Sequence, residues 1–84
     1  MTTFSMQVAG ETMRVRYGMP HEPVQVECDG EWVSIGRQSA EARCRPRLAG
    51  IMALEWCEDY WLDPSDDDQY QQQDSILETI EIEE

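Results

Sequence analysis

The sequence has no lysine and no asparagine, and its bases are six arginines and a single histidine set against eighteen acids. The net charge of −12 excludes a protein that grips nucleic acid through a basic stripe of its own. No apolar run approaches the roughly 20 residues of a membrane-spanning helix. Cysteine is scarce: Cys28, Cys44 and Cys57 cannot all pair within one chain, and their spacing fits neither a disulfide framework nor a zinc pattern. The opening Met1-Thr2-Thr3-Phe4-Ser5 carries no basic segment ahead of an apolar stretch. These features predict a reducing, cytoplasmic setting with no membrane association. His21 lies between Pro20 and Pro23 with no group nearby in sequence to orient it as a base. There is no glycine loop to cradle phosphate. Asp66-Asp67-Asp68 lacks the alternating ligands and closing glutamate of a calcium loop. The expectation is therefore a protein without catalysis, metal or cofactor.

What the sequence does contain is enough for one small domain. Its 84 residues are 40% hydrophobic. Phe4, Met6 and Val8 alternate with polar residues, and so do Met13, Val15 and Tyr17 after a turn at Ala9-Gly10-Glu11. Period two with β-branched and aromatic side chains predicts half-buried strands. Gly18 to Pro23 reads as a loop. Asp29-Gly30 then separates two further alternating runs, the signature of a two-residue type I′ hairpin whose turn residues both need positive φ. That register sets Val26 opposite Val33 and Val24 opposite Ile35 on one apolar face. Gln25, Glu27, Trp32 and Ser34 occupy the other, where the stems of Arg14 or Arg16 could cover Trp32 in a cation–π contact.

A short helical turn is expected at Ser39–Ala42, and Pro46 then suits the first turn of the main helix. The pattern carries that helix to about Leu62, with an apolar arc too wide for one sheet face to cover. Asp63 to Gln73 reads as a loop, because its aspartate and glutamine composition promises no packed core. Ile76 to Ile82 reads as an acidic edge strand, with a Ser75/Glu78 capping box as the helical alternative. The predicted fold class is α+β: a four-stranded antiparallel meander, with a fifth strand at the C-terminal end, packed against one main helix. Residues 1–62 form the domain and residues 63–84 an acidic, partly flexible segment with its edge strand at 76–82.

Charge divides the chain in two. Residues 1–47 hold six acids and all six arginines; residues 48–84 hold twelve acids and no base. The main helix is also charged against its dipole. Arg43, Arg45 and Arg47 crowd its N-terminus while Glu55, Glu58, Asp59 and Asp63 load its C-terminal half, each unfavourable by about 0.3–1 kcal/mol. The first reading is internal compensation, with acids of the tail folding back onto the arginines. The second is an anion or phosphate site built from Arg37, Arg43, Arg45 and Arg47 with the free N–H groups of the helix start.

The acidic half has its own readings. The plain one is a solvated face that keeps a small protein soluble. The functional one is recognition of a protein partner with a basic surface, with Glu55, Glu58, Asp59, Asp66, Asp67 and Asp68 supplying charge and Trp56, Tyr60 and Trp32 supplying contact area. Trp56, Tyr60 and Trp61 read first as core, with a dimer or partner surface as the alternative. A narrower version is a DNA mimic, of the anti-restriction or anti-CRISPR type, that blocks a nucleic-acid-handling protein by imitating its phosphate row. A second copy of the chain is the other partner this composition permits. The expectation is thus a small acidic interaction or regulatory protein, with the anion-binding domain as the reading of a different class.

Overall fold

The computed structural model describes residues 1–8, 10–39, 41, 45–57 and 68–83, with the main chain alone for 68–72. Four strands follow one another: β1 (Thr2–Val8), β2 (Glu11–Tyr17), β3 (Val24–Cys28) and β4 (Glu31–Gly36). Two helices come next, α1 (Pro46–Trp56) and α2 (Asp68–Leu77), and then a short β5 (Glu81–Ile82). The sheet is antiparallel with order β4-β3-β2-β1-β5. The fold is α+β, as the alternation predicted, with the C-terminal strand closing against β1.

The period-two pattern decides the two faces. Phe4, Met6, Val8, Val15, Tyr17, Val24 and Val26 are buried beneath the helices. Phe4 and Tyr17 meet edge to face with ring centroids 6.1 Å apart. The intervening residues make the outer face. Asp29 and Gly30 hold φ of 53° and 84°, the two left-handed residues that a type I′ turn needs. Val33 faces Val26 as expected. Val24, however, faces Gly36 rather than Ile35, because the ladder shifts between Val24 and Gln25. Gly36 absorbs the bulge with φ 151°, and its hydrogen faces the Met52 methyl at a distance that leaves little room for a Cβ.

Helix α1 starts where Pro46 predicts. Arg45 before it is extended (φ −100°, ψ 146°), as a residue preceding proline must be. No side chain of Arg45 caps the helix. Gln38 instead braces its entry: its Oε1 accepts from the Arg45 N–H at 3.0 Å and its amide donates to the Arg45 carbonyl at 3.4 Å. Gln38 is only 6% exposed, so the paired contacts satisfy an otherwise costly buried amide. Of the turn expected at Ser39–Ala42, Ala40 and Ala42 lie outside the described residues.

Three corrections concern the second half. First, α1 ends at Trp56 and not near Leu62: Cys57 leaves the helical region (φ −83°, ψ 90°) as its N–H closes onto the Ala53 carbonyl. The last turn holds no base to offset the dipole, and the acids that follow oppose further growth. Secondly, the glutamine run expected as loop is the body of α2. Glutamine is a good helix former, and nothing from Gln69 to Leu77 breaks a helix. Thirdly, Ile76 and Leu77 belong to that helix, so the strand shrinks to Glu81–Ile82 and Ser75 lies mid-helix, not at a cap.

Helix α2 answers the breadth of the apolar arc on α1. Ala49, Gly50, Ala53 and Leu54 of α1 are buried. A Cβ on Gly50 would stand 2.8 Å from a Leu77 methyl, 3.4 Å from the Ile80 methyl and 3.5 Å from the Met6 sulfur. The small residue thus lets β1, α1 and the end of α2 meet at one point. Thr79 then ties the tail to the sheet, its Oγ1 accepting from the Gln7 N–H at 2.8 Å. The Glu83 N–H donates to the Thr3 carbonyl at 2.8 Å.

Candidate functional site

The outer face of the sheet has no helix across it among the described residues, and it is organised around Arg14. This guanidinium sits at the middle of the sheet on β2. Its Nε donates to Glu83 Oε1 at 3.1 Å and its Nη2 to Glu83 Oε2 at 3.0 Å, a forked pair reaching across β1. Its Nη1 donates to Glu27 on β3. The hydrogen bond that Arg14 donates to Glu83, with the charge of both carboxylates, raises the Arg14 pKa above the ordinary value. Arg16 stacks over the Trp32 ring, 4.3 Å from guanidinium carbon to centroid, and Arg14 flanks it at 5.4 Å. The cation–π cover expected for Trp32 is therefore present and involves both arginines. Arg16 also donates to Gln25 Oε1 at 2.5 Å.

The helix start shows a second internal pair. Arg47 Nη2 lies 2.7 Å from Asp74 Oδ1 of α2. One acid of the tail has thus folded back onto the arginines at the start of α1, as the internal reading of the misaligned helix charge expects. Arg37 and Arg45 are exposed, and Arg43 lies outside the described residues. Of the four arginines considered for an anion site, Arg47 is already engaged by a carboxylate of its own chain.

The acidic residues divide in the same way. Glu83 and Asp74 have partners. Glu55, Glu78 and Glu81 are exposed and form no ion pair among the described residues. Trp56, beside Glu55 at the end of α1, is 40% exposed, and Ile82 on β5 is 46% exposed. Glu58, Asp59, Tyr60, Trp61, Asp66 and Asp67 lie outside the described residues, and of Asp68 only the main chain at the start of α2 is described. The structure thus joins Trp56 with Glu55 on one helix end, while Trp32 belongs to the outer face of the sheet with Arg14 and Arg16.

Other chemistry is thin. Among the described residues, no three histidine, cysteine or acidic side chains cluster as a metal site would require. Cys28 and Cys57 are free thiols. Burial pushes the Cys28 thiol up, with Asp29 and Cys57 adding to the shift, so it is a poor nucleophile at neutral pH. A groove of about 340 Å³ opens beside Tyr17, Gly18 and Met19, and Glu22 contributes a carboxylate to its lining. His21 is solvent-facing and stands 3.9 Å from Glu22. Among the described residues no helix is long and apolar enough to cross a membrane. Sequence reasoning missed Gln38 and Gly50, the residues that set α1 in place. Neither belongs to a recognisable pattern, since each acts through a distant partner. Compared with known protein families, curated proteins and solved structures, the chain has no significant match.

Proposed function

We propose that this protein works without catalysis, by binding a protein partner with a basic surface through its acidic second half. One observation carries the reading: the chain holds twelve more acids than arginines, and all of that excess lies in residues 48–84. Internal pairing cannot remove it. Arg47 and Arg14 engage Asp74 and Glu83, yet each such pair uses a base that the first half supplies. Glu55, Glu78 and Glu81 stay exposed, and Trp56 and Ile82 offer apolar contact beside them. Carboxylates arrayed in this way steer a basic partner and fix its orientation, while the aromatic and aliphatic anchors slow its release.

The test is capture of partners from the native host at low salt, with the eluted protein then titrated against the purified chain. The expected complex weakens steeply as salt rises and is lost on Glu55→Gln, Glu58→Gln and Asp59→Asn together. Duplex DNA that displaces the partner would narrow the reading to a nucleic-acid mimic. Binding that ignores those substitutions but disappears with Arg45→Ala and Arg47→Ala would overturn it in favour of an anion site. Turnover of a substrate by the isolated chain would overturn both.

A further inference from the structure

We propose that Cys28 and Cys57 are a thiol pair that closes to a disulfide when a small disulfide of the glutathione type is present, fastening the end of α1 to the end of β3. The alternation of β3 puts Cys28 on the same side as the buried Val24 and Val26, where it packs against the core. Cys57 is the residue at which α1 stops. Its N–H closes onto the Ala53 carbonyl and its backbone turns extended. Both thiols are free and half-buried.

The path of the chain brings the two ends together. Val24 opens β3 opposite Gly36, and Cys28 closes it opposite Glu31. Helix α1 starts from the Gly36 end, because Gln38, just beyond β4, holds both the N–H and the carbonyl of Arg45. From there α1 runs beside α2 and in the same direction: Arg47 meets Asp74, and Gly50 lies against Leu77. Thr79, just past α2, bonds Gln7, which pairs with Thr12. Both helices therefore point to the Gln7–Thr12 end of the sheet. The pairing of β2 with β3 makes that the end where β3 finishes at Cys28. The eleven residues of α1 span about 16 Å, the same as the five of β3, and α1 touches β3 along the way. Cys57 thus emerges beside Cys28. The electrostatics agree: after burial and Asp29, Cys57 is the next group that pushes the Cys28 thiol up, an effect that requires proximity.

The step is a thiol–disulfide exchange, and the small disulfide is the oxidant. Burial keeps Cys28 protonated, which leaves Cys57 at the helix end as the point of entry. Cys57 gives its proton to solvent and its thiolate attacks one sulfur of the small disulfide. That S–S bond breaks, a mixed disulfide forms on Cys57, and one small thiol leaves. Cys28 then gives its proton to solvent, attacks the Cys57 sulfur and expels the second small thiol. The two protein thiols lose two electrons and two protons, and the small disulfide takes up both to become two thiols. An excess of the small thiol reverses the sequence. The bond closes the chain between residues 28 and 57 into a loop, which constrains the unfolded state and so favours the folded one. It also pins the helix end that carries Glu55 and Trp56.

The experiment treats the reduced, folded chain with oxidised glutathione at neutral pH, titrates the remaining thiols and maps linked peptides by mass spectrometry. The sequence holds three thiols. The expected product keeps one of them, at Cys44, has lost the mass of two hydrogens and carries a Cys28–Cys57 link within one chain. It should melt at a higher temperature than the reduced chain and revert with reduced glutathione. Cys44→Ser should close the same bond and keep no free thiol. Cys28→Ser should stop at the mixed disulfide on Cys57, and Cys57→Ser should form no internal bond; circular dichroism checks that each variant is folded. A link that includes Cys44, a link between chains, a glutathione adduct on Cys57 of the parent chain that never resolves, or a bond that forms only in urea would each overturn the proposal. Failure of capture by a basic partner would leave this result untouched, because the readout is on the thiols alone.

Discussion

The two halves of this chain differ in how they meet their own charge. In residues 1–47 acids and arginines balance, and two of the six arginines are ordered on the sheet: Arg14 between Glu27 and Glu83, Arg16 on Trp32. In residues 48–84 there is no base at all, and each described ion pair made by that half borrows an arginine from the first. The comparison teaches that the second half is held by apolar contacts at Gly50, Leu77 and Ile80 and by a few borrowed cations. The remaining negative charge is left for solvent or a partner.

Four measurements test that contrast. The largest effect is expected where the halves share a core. Phe4 is fully buried, and Phe4→Ala should cost about 3–5 kcal/mol, a large part of the roughly 5–15 kcal/mol available to a small domain. Urea denaturation would show it as loss of the folded baseline for both halves together. Gly50→Leu should act selectively. The new side chain enters the space of Leu77 and Ile80, at a cost of about 1–3 kcal/mol. Hydrogen exchange should then find the Gln7 and Glu83 amides, which depend on the tail, losing protection while β2 and β3 keep theirs.

Arg14→Gln should have a smaller effect. It removes the forked bond to Glu83 and the bond to Glu27. The expected result is a shifted Trp32 indole resonance and a more mobile β5 with the sheet intact, and added salt should narrow the difference between variant and parent. The smallest effect concerns pH. Because burial raises the Cys28 thiol in the folded state, the unfolded chain loses that proton first as pH rises. Stability from this group is complete below the ordinary thiol range and declines above it. Alkaline melting curves should show this decline, and Cys28→Ser should flatten it.

The reasons some features were legible in the sequence, and others not, are physical. Strands β1 to β4 announced themselves because each is half-buried, so its side chains alternate. Asp29-Gly30 announced its turn because few other pairs tolerate two left-handed residues. The cation–π contact at Trp32 could be read because Trp32 fell on the polar face, where only a long side chain could cover it. The bulge at Gly36 could not be read, since it depends on Met52 packing from a helix distant in sequence. Helix α2 was misread because its glutamines were weighed for burial when their backbone propensity decided the outcome. Only its last turn, at Ile76 and Leu77, reaches the core, and the alternation of Ile80 and Ile82 just beyond makes that stretch of sequence look like a strand. Of the residues expected to meet a partner, Glu55 and Trp56 are exposed together at the end of α1. Helical spacing alone sets them apart, Glu55 with Glu58 and Asp59 and Trp56 in the apolar arc. Trp32 belongs with Arg14 and Arg16 on the outer face instead.

The direct test of the acidic-surface claim is to titrate the full chain with a short arginine-rich peptide at low salt and follow every backbone amide by NMR. Shifts confined to the end of α1, to α2 and to β5, and erased by added salt, are the predicted result. Shifts centred on β3 and β4, or none at all, would contradict it.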